Sequence, residues 1–510
     1  MIKIVQELIK FCKSHRCIYL YGAGLHAEIC YDLLKQQNII IDGFITTKKE
    51  KNIFMNLPVY SVDEIKTLIY SSDGIIPAFY DAEIQVLEQY FVFEKPDFYP
   101  LDQKFIIKIS SYYTAKKLCT VINNEYGVPD VWNSNIILKE ILIVRTDMMG
   151  DFICTIPFIR ELKKNYPYAN ISLIIRESNL DLAQNCPYVK RIALYKENVR
   201  EGGLYEQSKD IVNLKKHIAF FLEHEFTGIR FDAVFLPREL FSGRNMIDDF
   251  LFACCSKAKY RIAHIIKNEW EKELLYKVVK NSFSFLQMKD VPMHESEYQL
   301  DMLKACGLKV TNQAFELWLC EDNLKNAQNI FLKKGIGENS ILCAVGIVGS
   351  EERKNWKIEN YQKLFSIFRK KYGVKYKFLL FGGNDAVNAA RNLVIYENTV
   401  DLTGQLQLGD TIALMKMCHM YVGSNTGLLH IASAFGKPAV VLNFSLDDEE
   451  EIFSAGPVRW GAYGVEKCEL VPPSGLDGCH GVCSKKYSHC INQITVEEVA
   501  ASIEKLSKYK

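Results

Sequence analysis

Several places in the 510-residue chain bring together side chains of the types and spacings that do chemistry. The run Arg145-Thr-Asp-Met-Met-Gly-Asp151 closes a β-prone stretch and sets a carboxylate just past a glycine. Ligands of open α/β sheets bind beyond the carboxyl ends of the strands. There Asp151 suits a general base that takes a proton from a bound hydroxyl, and it equally suits a helix cap. Farther on, Gly349-Ser-Glu-Glu-Arg-Lys-Asn-Trp356 sets Arg353 and Lys354 in a loop, as phosphate-neutralising cations or as plain solvated charges. In Gly423-Ser-Asn-Thr-Gly-Leu-Leu-His430, turn amides and the Thr426 hydroxyl suit an oxygen-rich anion. His430 follows one turn into the helix, as a ligand-facing or a packed histidine.

Two further groups stand apart from these. Gly22-x-Gly24-x-x-Ala27 follows an apolar run and precedes a helical one, and a second apolar run, 39–41, ends at Asp42. The pattern is that of a dinucleotide- or nucleotide-sugar-binding turn, with Asp42 on a ribose hydroxyl, or of a βα turn that needs glycine for its shape alone. Near the other end Cys468, Cys479, Cys483 and Cys490 fall within 23 residues, with His480 and His489 between them. Thiolates so spaced suit structural zinc or iron, and no paired C-x2-C is present, so unligated thiols or a disulfide stay open.

The elements that must carry these groups alternate in type. In the first segment a helical stretch, a short strand, the glycine turn and a helix come in order; then Leu57–Tyr60 leads into Ser61-Val-Asp-Glu64, a capping-box pattern, and Gly74–Ala78 reads as another strand. A cluster of turn formers at 127–135 marks a linker, and the alternation restarts with a strand at 136–144, a helix at 152–165 and a strand at 171–175. It restarts again with a strand at 340–348, the helix Ile358–Tyr372, a strand at 377–381, the Gly382-Gly383 turn, and a final strand–turn–helix–strand unit from Met420 to Asn443. Such alternation predicts parallel, doubly wound α/β sheets. The expected division is a small Rossmann-like unit at 1–105, a helical segment and linker at 106–137, an acceptor-side unit at 138–335 and a donor-side unit at 336–510.

Composition bounds the function. With 62 Lys+Arg against 61 Asp+Glu the net charge is +1, which excludes a nucleic-acid binder that works by bulk phosphate neutralisation. A hydrophobic content of 48% supplies several cores. The sixteen cysteines are spread through apolar runs such as Cys254-Cys255, as buried thiols of an intracellular protein. The N-terminus lacks the apolar core of a signal peptide, and no run reaches the ~18 apolar residues of a membrane span.

Taken in order, Ile141 to Asp151 with Cys154-Thr-Ile-Pro-Phe-Ile-Arg-Glu-Leu162, Asn185-Cys-Pro-Tyr-Val189, Arg353-Lys-Asn-Trp356, Asp401-Leu-Thr-Gly404, and Val422 to His430 with Phe435-Gly-Lys-Pro438 resemble the landmarks of the heptosyltransferase-like glycosyltransferase family 9. The resemblance covers about 138–510. It implies two Rossmann-like domains in the GT-B arrangement, beside the smaller N-terminal one, and sugar transfer with inversion from a nucleotide-diphosphate donor, with the ADP-heptose type favoured. It implies Asp151 as the base. It also implies Lys354, Arg353, Asn425, Thr426, Gly427 and His430 around the donor diphosphate, and Asp385 at the donor ribose. The implied acceptor is a saccharide or glycolipid of the bacterial envelope, with a protein acceptor as alternative, reached from the cytoplasm by peripheral contact with the membrane. No cofactor is implied for transfer, and the cysteine loop is implied as a zinc or iron site. Asn425 stands where the family commonly has Asp, which leaves open a nucleotide-sugar-binding protein whose catalysis has decayed. Met148 and Met149 replace small residues before Gly150.

Overall fold

The computed structural model describes residues 2–78, 89–91, 96–99, 103–196, 210–241, 247–267, 270–336, 340–349, 351–394, 396–444, 456–473 and 489–507. Three sheets follow one another along the chain. The first holds β1 (Ile18–Tyr21), β2 (Gly43–Thr46), β3 (Ile53–Phe54), β4 (Leu57–Ser61), β5 (Gly74–Pro77) and β6 (Asp97–Phe98), in the order β3-β4-β2-β1-β5-β6. All its pairs are parallel except the β3–β4 hairpin. The expected capping box is present where β4 enters the short helix Val62–Ile65: Glu64 N–H donates to Ser61 Oγ at 3.2 Å, and Ser61 N–H to Glu64 Oε2 at 2.8 Å.

The second sheet holds β7 (Glu140–Arg145), β8 (Asn170–Arg176), β9 (Arg191–Tyr195), β10 (Ala233–Glu239), β11 (Tyr260–Ile266) and β12 (Phe285–Lys289), in the order β12-β11-β10-β7-β8-β9. The third holds β13 (Ile341–Gly346), β14 (Tyr376–Phe381), β15 (Thr399–Asp401), β16 (Met420–Ser424), β17 (Ala439–Leu442) and β18 (Lys467–Leu470), in the order β15-β14-β13-β16-β17-β18. Both are parallel throughout. In each the chain starts at the centre, winds outward for two strands, and returns to the other side of its first strand. That order is the doubly wound one, whose ligand crevice lies where the winding reverses. The reversals fall between β7 and β10 and between β13 and β16. The turns singled out in the sequence, after β7, β13 and β16, therefore stand at these two crevices. Burial on both faces accounts for the nearly continuous apolar strands, such as Ile141 to Val144 and Phe378 to Phe381.

Two expectations change. The apolar run 39–41 forms no strand; β2 begins only at Gly43, after Asp42. The Asp42 carboxylate accepts the Ile18 N–H at 2.8 Å and its own N–H donates to the Ile18 carbonyl at 2.9 Å, which pins it beside the first residue of β1. Gly22 follows the last residue of β1, so Asp42 lies at the far end of the sheet, about 13 Å away by strand rise, and cannot serve a ribose seated at Gly22 and Gly24. The second change concerns the linker. A helix spans Gln103–Tyr126 and buries Ala115, Leu118, Cys119 and Ile122 in the same core as Leu142, Phe250 and Leu275, so it is part of the middle unit rather than a spacer. Among the described residues no helix is long and apolar enough to cross a membrane.

Candidate functional site

Asp151 is the third residue of the helix Met149–Asn165, which starts directly beyond β7. Met148 occupies the cap position, and Asp151 caps from within: its Oδ2 accepts the Met148 N–H at 3.1 Å. Its Oδ1 is turned to Arg145 Nη2 at 3.8 Å, and the side chain keeps 21% of its surface exposed. Capping and proton transfer are thus compatible, one oxygen for each. Burial and the nearby Asp147 raise the Asp151 pKa to about 7, with Arg145 opposing them. A carboxyl group near neutrality is matched to work as a general base.

Arg145 anchors a buried network around this acid. Its Nε lies 2.9 Å from Asp147 and its Nη2 3.1 Å from Glu295. Glu295 is also paired with Arg459 at 2.9 Å, Arg459 with Glu239 at 3.2 Å, and Glu239 with Lys272 at 3.1 Å. Arg238 stands 3.7 Å from both Asp147 and Asp249. Five carboxylates, Asp151 included, thus share four largely buried cations, so the set favours retaining a proton on the least compensated members. Asp249, like Asp151, is raised to about 7, chiefly by burial, whereas Glu295, held between two arginines, is lowered to about 2 against its own burial.

Across from Asp151 the third sheet presents its own crevice. Gly423 has φ +152°, and a Cβ there would meet the Gly346 carbonyl at 2.6 Å, so the turn after β16 requires glycine. Thr426 is the cap residue of the helix Gly427–Ala434, yet its hydroxyl pairs with Tyr421 at 3.3 Å and makes no cap bond. The amide end of this helix therefore has no side-chain cap, the condition under which it receives an anion. Ser424 Oγ donates to the Lys354 carbonyl, and a Cβ on Gly349 would touch both Lys354 Cβ at 3.0 Å and Thr426 Cγ2 at 3.6 Å. Lys354, Thr426 and Gly427 are thereby brought together.

The cations are not bare. Glu351 lies 3.1 Å from Lys354 Nζ and 2.7 Å from Arg353 Nε, and the Arg353 guanidinium sits 4.3 Å over the Phe444 ring. Asp385 is exposed in a short turn after β14, and Asn425 is half-buried beside Thr426.

The two crevices meet at Gly150. A Cβ on Gly150 would lie 2.8 Å from His430 Cδ2, and one on Gly427 would lie 2.8 Å from Met149 Cε. His430 is 3% exposed, its Nδ1 is 3.8 Å from Cys154 Sγ, and burial, His294 and Lys354 together press its pKa down to about 3. It is a neutral imidazole. Cys154, His294 and His430 place ligand atoms within 4.8 Å of one another, a set that suits zinc. His294, however, has both nitrogens engaged: Nδ1 accepts the Ser296 N–H at 3.2 Å as the cap of the helix Glu295–Ala305, and Nε2 reaches the Gly461 carbonyl at 3.2 Å. A metal would have to break that cap; as they stand, Cys154 pairs with His430 and the His294 and His430 rings meet edge to face.

Residues 260–451 match the family model described as glycosyltransferase family 9 (heptosyltransferase). Over that stretch the chain is similar to the family 9 glycosyltransferases. Solved structures share its fold. The family 9 glycosyl transferase from Veillonella parvula is 18% identical, with a TM-score of 0.57, over 73% of this chain and 98% of its own. The E. coli ADP-heptose lipopolysaccharide heptosyltransferase II is 15% identical (TM-score 0.51; 72% and 99% covered), and the E. coli heptosyltransferase WaaC, solved with ADP, is 16% identical (TM-score 0.51; 72% and 99% covered). No curated protein is similar to the chain in sequence. The structures are matched almost end to end and leave more than a quarter of this chain without a counterpart. Its fold is that of these GT-B-like structures.

Of the residues expected from the sequence, Asp151, Lys354, Thr426, Gly427 and His430 stand near the meeting of the two crevices. Gly22 and Gly24 belong to the separate first unit. Cys468 stands in β18 and Cys490 opens the short turn Cys490–Gln493, both in the donor-side unit; Cys479 and Cys483 lie outside the described residues, as does the stretch 197–209. The ion network of Arg238, Glu239, Glu295 and Arg459 was not foreseen. Glu295 and Arg459 are 164 positions apart, and the one local hint was Arg145, a charge directly after the apolar run 141–144.

Proposed function

We propose that this glycosyltransferase moves a heptose or related sugar, with inversion, from an ADP-type nucleotide-diphosphate donor to a saccharide acceptor of the bacterial envelope. Asp151 is the base. The observation that carries the reading is the Gly150–His430 contact, which sets a carboxyl group tuned to about 7 on one side of the seam and an uncapped helix start on the other. The ADP bound in WaaC and the ADP-heptose named for heptosyltransferase II support the choice of donor class.

In this reading the acceptor hydroxyl gives its proton to Asp151 Oδ1 as its oxygen forms a bond to the anomeric carbon, and the bond from that carbon to the diphosphate breaks on the opposite face. The departing charge is met by the amides from Gly427 onward, the Thr426 hydroxyl, His430 and Lys354 once it turns from Glu351. Asp385, at the exit of β14, is assigned to the donor ribose, and Asn425 to the donor sugar side. A panel of ADP-, GDP-, UDP- and CDP-sugars, read by release of the nucleoside diphosphate, tests the donor: turnover confined to another base would replace the ADP assignment.

A further inference from the structure

We propose that Cys154 is a positioning residue: its thiol holds His430 in the Nε2–H tautomer, so that the imidazole donates from Nε2 to a phosphoryl oxygen of the donor. The proposal rests on the reading of His430 as a donor-facing residue.

The geometry is that of a relay across the seam. Cys154 lies three residues after Asp151, on the same face of the helix Met149–Asn165, and has no exposed surface. Its Sγ stands 3.8 Å from His430 Nδ1, within reach for a sulfur donor. The opposite edge of the ring, Cδ2 and Nε2, lies over Gly150, where a Cβ would approach Nε2 to 3.3 Å. Gly150 is therefore the gap through which Nε2 meets the crevice beside Asp151.

Proton placement follows from what each partner can do. Burial lifts the Cys154 thiol well above its ordinary value, with Glu295 and Asp151 adding to the rise, so the sulfur keeps its hydrogen. A thiol with its hydrogen is a weak donor and a weak acceptor, whereas an imidazole nitrogen without its hydrogen is a good acceptor. The neutral imidazole has one hydrogen to place, and the nitrogen that carries it is set by the bond made at the other. With S–H directed at Nδ1, the hydrogen sits on Nε2. The other tautomer would leave Nδ1–H only the weakly accepting sulfur and would turn a lone pair toward the phosphoryl oxygens. His294, 6.4 Å away between ring centroids, does not compete, because its nitrogens serve Ser296 and Gly461. Cys154 belongs to the middle unit and His430 to the donor-side unit, so the tautomer is set only while the two units are apposed as here.

The test is long-range proton–nitrogen correlation NMR on the full chain labelled with 15N-histidine, at pH 7. The signals of His430, one of ten histidines, are assigned by their loss in His430→Gln. The expected pattern is an unprotonated Nδ1 and a protonated Nε2 in the wild type and in Cys154→Ser, and a mixed tautomer in Cys154→Ala. Nucleotide release is expected to fall roughly tenfold in kcat/KM in Cys154→Ala and to be restored in Cys154→Ser. A protonated Nδ1 in the wild type, an unchanged tautomer in Cys154→Ala, or stoichiometric zinc in wild-type protein purified without chelators that is lost in Cys154→Ala would each overturn the proposal. The wild-type spectrum needs no variant to fold. Calorimetry with ADP separates the two levels: unchanged ADP binding in His430→Gln would remove His430 from the donor site while leaving the tautomer result intact.

Discussion

Glu295 and Arg459 stand 2.9 Å apart although 164 residues separate them, and both are buried. Arg459 enters from the donor-side part of the chain, whereas Glu295 opens a helix of the acceptor-side part and holds Arg145 with its other oxygen. The pair therefore ties the third sheet to the arginine that faces Asp151. Arg459→Met leaves Glu295 and Glu239 buried with one cation fewer each, and is expected to cost about 3–5 kcal/mol in denaturant unfolding. A loss below about 1 kcal/mol would show that water or a neighbouring cation replaces it.

Gly150 and Gly427 face different neighbours, and their alanine variants separate the two. The Cβ of Gly150→Ala would meet the packed His430 ring, which has no room to withdraw, so a stability loss of about 1–3 kcal/mol and weakened ADP binding are expected. The Cβ of Gly427→Ala would meet the terminal methyl of Met149, which can rotate, so its cost is expected below about 1 kcal/mol. Calorimetry and melting of both proteins check the order, and the reverse order would contradict the account.

Glu351 holds Lys354 and Arg353 before any diphosphate arrives. Glu351→Gln releases both cations and is expected to tighten ADP binding by roughly threefold, whereas Lys354→Met weakens it by about tenfold or more. Both shifts shrink at high salt if they are electrostatic, which titrations at two ionic strengths would detect.

Asp151 also has a signature in stability. Its folded pKa, about 7, is raised above the ordinary carboxyl value, so between about pH 4 and 7 the folded chain binds more protons than the unfolded one at this position. Its contribution therefore declines as pH rises through that window. Asp151→Asn removes the decline, and is expected to be as stable as the wild type near pH 5 and more stable at pH 8. A variant less stable at pH 8 would mean that the charged carboxylate is favoured in the fold.

The parallel sheets were legible because buried strands read as unbroken apolar runs between glycine turns, and the helix Ile358–Tyr372 because its apolar residues recur at helical spacing. The same rule failed at 39–41, where Ile39 and Ile41 pack inward and Ile40 is 81% exposed but no ladder forms, while the true strand opens with a glycine that carries no strand signal. Asp151, Thr426 and His430 could be read because each sits just past a strand. Cys154 looked like any core thiol inside an apolar helix. Its partner lies 276 residues away in another unit, a relation that no local pattern encodes. Arg459 and Glu295 escaped for the same reason.

The central claim is that Asp151 takes the acceptor proton, and the most direct measurement is nucleoside diphosphate release by Asp151→Asn with an ADP-sugar donor, alongside calorimetry with ADP. Asparagine keeps an oxygen for the Met148 N–H but cannot accept a proton as the base. Turnover is predicted to fall by about 100-fold or more with ADP affinity held within roughly twofold, and wild-type kcat/KM to fall as pH drops below about 7. Turnover within about threefold of wild type in this variant would contradict the assignment and place the base elsewhere.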